Sequence, residues 1–268
     1  MNLSQVSRTA ILTLIGHAVE SERQQSVLHD PMAVLTLERL LSIASEEEKR
    51  WIIKHKRSNE GIQARETKAL ARRVKAFDNI TDRFITDHPK CTVINLACGF
   101  DTRYWRIENE KCKYIELDLP GVIELKKEIL KDQLEYEMIG CSVLDTAWID
   151  KVTPNGNTDF ILLAEGLFMW FSPQEAARLF KEIGGKFDRS QLVLDSVPEI
   201  YTKGLGKQFI RLHSKIDWGL DVSWDFGIKD PHDLEAYGNG LKVVGEEKGS
   251  FGPVITVSIN GHSGTTHS

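Results

Sequence analysis

Residues Cys91–Arg103, CTVINLACGFDTR, decide the fold of this chain. The apolar run Cys91–Ala97 predicts a short buried strand, and the single glycine that follows, Gly99, predicts a tight turn. Asp101 and Thr102 are good helix N-cap residues, so we expect a helix to begin there. A strand, a turn and a helix start in this order place backbone N–H groups beside anything that lies across the strand end. The stretch therefore predicts a ligand site.

The bulk composition excludes several classes of function. The chain has 268 residues, 41% of them hydrophobic and 27% charged, with a net charge of −5. Such an acidic chain is poorly suited to a phosphate backbone, so we expect no nucleic-acid partner. We find no apolar run long enough to span a membrane and no signal-peptide pattern, so we expect a cytoplasmic protein without a membrane partner.

The cysteines do not form a recognisable metal or disulfide pattern. Cys91, Cys98, Cys112 and Cys141 lie in or beside predicted strands, and no two of them form a CxxC motif. We therefore predict reduced, mostly buried thiols and no metal site.

The first part of the chain is predicted to be helical. Apolar periodicity indicates helices over 5–23, from Met32 to about Ile43 and from Ser45 through Trp51, then a solvated loop at 54–60. Gly61 is predicted to open a long helix that ends near Asp87. Its basic residues, Arg65, Arg72, Arg73 and Lys75, are expected mostly on a solvated face, as is usual for such a helix.

From residue 91 onward strands alternate with helices. The predicted strands are 91–97, 112–118, 135–143, 158–165, 190–196, about 241–246, and 253–259. The predicted helices between them begin near Asp101, Pro120, Thr146, Ser172 and Pro198. Such alternation predicts a mostly parallel α/β sheet with right-handed crossovers. The last two strands are joined by a hairpin-length link, so one of them should be antiparallel.

This pattern predicts a Rossmann-like, seven-stranded sheet with one antiparallel strand, which is the layout of class I methyltransferases. We expect residues 1–60 to form a helical N-terminal cap and residues 61–260 to form the methyltransferase domain. Residues 199–237 are rich in aromatic residues and lie between strands five and six, so we interpret them as a lid; packing against the flank of the sheet is the alternative. The polar tail, 261–268, is expected to be disordered.

Two carboxylates are predicted to converge on the turn at Gly99. Asp118 ends strand two and Glu165 ends strand four, and a carboxylate at the end of strand two can hold a ribose diol. The dinucleotide fingerprint needs three glycines, whereas the window ACGFDT keeps one, so a nicotinamide cofactor is disfavoured. A nucleoside without phosphate, such as S-adenosylmethionine, fits better.

Several blocks of the sequence resemble one family. NLACGFDTRYWR (95–106), YIELDLPGVIELKK (114–127), AEGLFMWFSPQEA (164–176), HAVESERQQSVLHDPMA (17–33) and GIQARETKAL (61–70) occur in its order. They are similar to the leucine carboxyl methyltransferase and tetracenomycin-type polyketide O-methyltransferase family. The resemblance covers roughly residues 15–196. It implies transfer of a methyl group from S-adenosylmethionine to an oxygen, often that of a carboxylate.

The resemblance also implies roles for individual residues in cofactor binding. Arg65 would pair with the cofactor's carboxylate, and Gly99 would lie under its methionine portion. Asp118 would hold the ribose hydroxyls, with Leu119 against the adenine. Glu165 would bind the α-amino group.

The chain departs from the family pattern at several of these positions. Ala97 stands where the family has its first motif glycine, and Val19 stands where a basic residue commonly precedes Glu-Ser. Ser142, followed by Val143, takes the place of an acidic residue near the adenine, unless Asp145 supplies it. We include Ala97, Ser142 and Val143 among the predicted cofactor contacts.

The sequence indicates only two candidate residues for the site of the methyl acceptor. Trp170 replaces the family's tyrosine, and His213 in the lid is the candidate for a general base, although a carboxylate acceptor would need none. We predict an O-methyltransferase that acts on a carboxylate or phenol of a small molecule. The alternatives are methylation of a protein C-terminus, or a methyltransferase-like binding domain without turnover.

Overall fold

The structure is a computed structural model that describes residues 5–61, 64–107, 110, 112–153, 159–238 and 240–260. The predicted tail at 261–268 and the residues Ile62 and Gln63 of the predicted long helix lie outside this range. No described helix is long and apolar enough to cross a membrane.

Helices precede and flank the sheet. They are α1 (Gln5–Ser21), α2 (Pro31–Ile43), α3 (Glu46–Glu60), α4 (Ala64–Asp87), α5 (Pro120–Leu130), α6 (Ala147–Val152), α7 (Pro173–Lys186) and α8 (Gly204–Asp217). Short 3₁₀ turns occur at Arg103–Trp105, Phe168–Trp170, Glu199–Thr202 and Pro231–Tyr237. At the start of α7, the Ser172 hydroxyl accepts from the Glu175 N–H while the Glu175 carboxylate accepts from the Ser172 N–H, and Pro173 follows at N1.

The sheet has the predicted seven strands. They are β1 (Thr92–Leu96), β2 (Lys113–Asp118), β3 (Glu137–Gly140), β4 (Phe160–Ala164), β5 (Ser190–Asp195), β6 (Leu241–Lys248) and β7 (Pro253–Ile259). Their order is β3-β2-β1-β4-β5-β7-β6. Strands β1 to β5 are parallel, and β7 runs antiparallel to both of its neighbours. The predicted class I methyltransferase fold is confirmed.

Alternation along the buried strands separates two layers of core. Ile94 and Leu162 face the side that α6 and α7 cover, whereas Val93 and Ile161 face α4. A third cluster joins α1, α2 and α3 to α5, with Phe100 from the loop after β1. The N-terminal helices therefore pack beside the carboxyl end of β1, where the site was predicted.

Three local predictions were wrong. Residues 54–60 are not a loop, because α3 continues to Glu60 and buries His55 and Asn59. Thr102 precedes only a 3₁₀ turn and makes no side-chain cap, because its hydroxyl donates to Asp30 Oδ2 at 2.6 Å. Arg73 is buried, not solvated, because it binds two carboxylates inside the protein.

Candidate functional site

A cavity of about 650 Å³ opens at the carboxyl edge of the sheet, where β1 lies between β2 and β4. Parallel strands end at the same edge, so their terminal residues meet there. The predicted site residues that line the cavity are Ala97, Gly99, Asp118, Leu119, Ser142, Val143, Glu165 and Trp170. The structure therefore brings together eight residues from four separate stretches of the sequence.

The Asp118 carboxylate holds the turn after β1. Its Oδ2 accepts from the Gly99 N–H at 2.7 Å and its Oδ1 from the Leu119 N–H at 2.6 Å. Burial raises the pKa of Asp118, against the opposing effect of these two N–H groups. The N-cap of α5 is Leu119, so Asp118 is not a capping residue. Each oxygen keeps a lone pair for a further donor, such as a ribose hydroxyl.

Both the backbone conformation and the close packing at position 99 require a glycine. Its φ is +52°, a left-handed value that side chains disfavour. A Cβ at this position would lie 3.0 Å from the Cβ of Ala10 in α1. The turn and α1 therefore approach each other as closely as glycine allows, and both line the cavity.

Glu165 lies between two buried arginines. Its Oε1 is 2.8 Å from Arg73 Nη2 and its Oε2 is 2.6 Å from Arg103 Nη2. Burial alone would raise the pKa of Glu165, but Arg73 and Arg103 outweigh burial and lower it. Arg73 also binds Asp195 at 3.1 Å. Glu165 therefore enters the cavity as an ionised carboxylate that is fixed in position.

The ion pairs extend behind the cavity wall. Arg103 contacts Asp78 at 2.7 Å and Asp101 at 2.6 Å, while Arg106 contacts Asp30 at 2.6 Å and Asp78 at 2.8 Å. Three arginines therefore bind five carboxylates, namely those of Asp30, Asp78, Asp101, Glu165 and Asp195. This excess of carboxylate favours a ligand that brings positive charge.

Sequence reasoning missed His17. It lies in α1, lines the cavity and is only 2% exposed. Neither ring nitrogen has a hydrogen-bond partner among the described residues. Its Nδ1 is 3.9 Å from Asp30 Oδ2, which is too long for a hydrogen bond. The only signal in the sequence was a histidine on the apolar face of a predicted helix.

Two predicted residues lie away from the cavity. Arg65 is exposed and is not among the described residues that line it. His213 is 37% exposed, pairs with Asp217 at 3.0 Å and likewise lies outside the described lining. The geometry therefore gives no support to the roles predicted for Arg65 and His213. Asp145, the alternative to Ser142, is exposed and also outside the lining.

The predicted lid, residues 199–237, divides into two parts. Trp218 and Trp224 line the cavity, as expected of a lid. Phe226 and Tyr237 instead pack on Phe180 of α7, as in the alternative interpretation. Trp170, which was predicted at the acceptor site, donates from Nε1 to the Gly166 carbonyl at 2.8 Å and is 39% exposed.

The donor set of the cavity fits S-adenosylmethionine. A carboxylate beside a left-handed glycine suits a ribose, and a second, ionised carboxylate suits an ammonium group. No cluster of three or more metal-binding side chains occurs in the described part of the chain.

The chain is similar to several known proteins. The family model "Leucine carboxyl methyltransferase" matches residues 10–184. The Tetracenomycin polyketide synthesis O-methyltransferase TcmP of Streptomyces glaucescens is 25% identical over 243 residues, covering 90% of this chain and 82% of that relative. Leucine carboxyl methyltransferase 1 of Bos taurus is 22% identical over 154 residues, covering 45% of this chain and 46% of that protein.

Among solved structures, an O-methyltransferase family protein from Burkholderia thailandensis has the same fold. Its TM-score is 0.53 at 14% identity, covering 90% of this chain and 74% of that one. Because the family model spans well over half of the residues, the chain belongs to the leucine carboxyl methyltransferase family of S-adenosylmethionine-dependent O-methyltransferases.

Proposed function

We propose that the protein transfers the methyl group of S-adenosylmethionine to an oxygen of a small molecule. The observation that carries this proposal is the convergence of Gly99, Asp118 and Glu165 on one cavity. When bound, the cofactor supplies a methyl group activated by its positive sulfur. The four cysteines form no disulfide with one another, which supports the proposed cytoplasmic location.

In this proposal, the strand-end residues hold the cofactor. Asp118 accepts hydrogen bonds from the ribose hydroxyls, and Glu165 binds the α-ammonium group. Leu119 and Val143 present apolar surface to the adenine, and the Gly99 turn allows the methionine portion to approach the backbone. Both carboxylates are pre-positioned by other groups, so little reorganisation is needed on binding.

A small acceptor is favoured over a protein C-terminus. Trp218 and Trp224 form part of the wall of the cavity, whose volume of about 650 Å³ is in the range of sites for small molecules. The similarity to the tetracenomycin enzyme also extends over 90% of this chain, against 45% for the bovine leucine carboxyl methyltransferase. Methyl transfer is measured with a panel of small acceptors and with a peptide ending in leucine. Transfer to a small acceptor supports this proposal, transfer to the peptide supports the alternative, and transfer to neither indicates a domain without turnover.

Calorimetry with S-adenosylhomocysteine tests the cofactor site directly. We expect Asp118→Asn to weaken binding about 10- to 100-fold, since a hydrogen bond to a charged group contributes about 1.5–3 kcal/mol. The matched control is Asp145→Asn, an exposed carboxylate outside the described cavity lining, which should leave binding unchanged. Wild-type protein that binds no cofactor product at millimolar concentration would refute the proposed function.

A further inference from the structure

The cavity wall beyond the cofactor residues is mainly aromatic and apolar. It includes Met169, Trp170, Trp218, Trp224 and Phe251. Trp224 and Phe251 meet edge to face with their ring centroids 5.2 Å apart. Indole and phenyl rings in this arrangement suit a flat aromatic guest, which they can contact by stacking or by their edges.

The charge on the wall disfavours an anionic guest. The acidic residues that line the cavity are Glu66, Asp101, Asp118, Glu165 and Asp221. Among the described lining residues, the sole lysine or arginine is Arg73, which Glu165 and Asp195 already bind. The cofactor already brings one carboxylate to this cavity. A carboxylate acceptor would add a second, which would lose its hydration without gaining a free cationic side chain, and this is costly in a buried site.

Two uncharged polar side chains line the same cavity. Both ring nitrogens of His17 and the Ser250 hydroxyl are buried, and none has a hydrogen-bond partner in the described structure. Buried polar groups of native proteins are nearly always satisfied, so groups left without a partner in a cavity point to a ligand. An uncharged hydroxyl, which both donates and accepts, matches these two side chains.

Resting on the proposed function, we propose that the acceptor is an uncharged aromatic alcohol, a phenol, and that His17 accepts its hydroxyl proton. A phenol has a pKa of about 10, so it is protonated at neutral pH and needs a base as its oxygen reacts. The acidic wall adds to this need, because neighbouring carboxylates disfavour a preformed phenolate.

The proposed step is balanced in atoms and charge. The acceptor oxygen gains the methyl group while its O–H bond breaks. The hydroxyl proton passes to a ring nitrogen of His17, and the electron pair of the donor's carbon–sulfur bond remains on the sulfur. The imidazolium that forms then releases its proton to solvent, which restores the neutral ring.

The surroundings of His17 suit a base of this kind. Burial and then Arg106 lower its pKa from 6.5, so the ring is neutral and able to accept a proton at pH 7. Asp30, Glu165 and Asp101 act in the opposite direction and stabilise the protonated ring. Methyl transfer should therefore slow as the pH falls through the lowered pKa of His17, below 6.5.

A pair of matched probes tests the acceptor class by binding. Protein loaded with sinefungin, an unreactive cofactor analogue that keeps a positive charge, is titrated by calorimetry at pH 7.5 with 2-naphthol or 2-naphthoate. We expect 2-naphthol to bind at least tenfold more tightly. Equal or tighter binding of 2-naphthoate, or binding of neither probe, overturns the inference. Failure to bind sinefungin itself overturns the proposed function as well.

His17→Asn tests the proton acceptor with 2-naphthol as substrate. We expect kcat to fall about 100-fold or more, with the affinity for sinefungin unchanged and the pH dependence below 6.5 removed. The control, His232→Asn, changes a histidine that is 63% exposed and should behave as wild type.

The role of His17 is contradicted by an unchanged kcat, or by an equal loss at every pH together with weaker sinefungin binding. Should the variant fail to fold, His17→Gln, which keeps a polar side chain at this position, is the second variant. A kcat of His17→Gln equal to that of the wild type overturns the role of His17.

Discussion

Ala97 has a strained backbone at the centre of the site. Its φ is +51°, in the left-handed region, although alanine carries a Cβ. That conformation costs about 1–2 kcal/mol for a non-glycine residue. In the family resemblance, Ala97 stands where the family has a glycine. The turn therefore keeps a left-handed backbone conformation that glycine would adopt without strain.

Ala97→Gly should therefore stabilise the protein. Relief of strain outweighs the greater freedom of glycine in the unfolded chain, which costs about 0.4–1 kcal/mol, so we expect a gain of up to about 1.5 kcal/mol. Urea unfolding measures the change. The control is Ala177→Gly within α7, where the same substitution should lower stability by about 1 kcal/mol. A loss of stability in Ala97→Gly would contradict the strain.

Residues at strand ends could be predicted from the sequence, but their partners could not. Gly99, Asp118 and Glu165 end apolar runs, so their convergence follows from the parallel order of the strands. His17 and Arg73 lie on helices, where periodicity says only which face they occupy. Their roles depend on contacts with distant residues, and a single sequence contains no signal for such contacts.

At the scale of elements, the ion pairs of Arg103 connect three parts of the fold. Its side chain is fully buried and joins Asp78 of α4, Asp101 after β1 and Glu165 after β4. The Asp101 carboxylate accepts from the Arg103 backbone N–H at 3.0 Å, as a helix cap would, and it also binds the side chains of Arg103 and Arg106. Only a 3₁₀ turn of three residues follows it, where a helix was predicted.

Arg103→Met should destabilise the protein by about 3–5 kcal/mol, because it leaves three carboxylates without their shared cation. Urea unfolding with circular dichroism detection gives the value. Arg83→Met is the matched control, since Arg83 is 64% exposed and its pair with Glu247 should contribute less than about 1 kcal/mol. Equal effects of the two substitutions would show that burial does not strengthen the Arg103 contacts.

Secondary structure was predicted better for strands than for helix ends. The strands are short apolar runs bounded by polar residues, and each was found within a few residues. The charged sequence of 54–60 suggested a loop, yet α3 continues there because Ile52, His55 and Asn59 recur at helical spacing and are buried. Tertiary packing, which a local pattern does not contain, determined where this helix ends.

At the scale of the whole molecule, buried carboxylates link stability to pH. Neighbouring arginines overcome burial and hold the pKa values of Asp101 and Glu165 below their ordinary range. Such groups stabilise the fold fully above their unfolded pKa of about 4, and this contribution is lost as the pH falls toward their lowered folded values. Burial raises the pKa of Asp118 and of Asp195, which contribute in the opposite sense.

The stability difference between wild type and Arg103→Met measures the contribution of the carboxylates whose pKa is lowered. We expect this difference to shrink as the pH falls, because the carboxylates of the folded variant, without Arg103, take up protons at a higher pH than those of the folded wild type, whereas the two unfolded chains behave alike. Urea titrations at pH 7, 5, 4 and 3 measure it. A difference that grows in acid would mean that the Arg103 contacts do not depend on ionised carboxylates.

The close approach of Ala10 and Gly99 has a consequence for the stability of α1 when a ligand is bound. Since α1 lies directly over the turn and also lines the cavity, a molecule bound there touches the first helix and the sheet at once. A bound ligand therefore holds α1 and the turn after β1 together. Protease cleavage near the N-terminus should become slower when the cavity is filled, and its rate gives a measure of occupancy that requires no turnover.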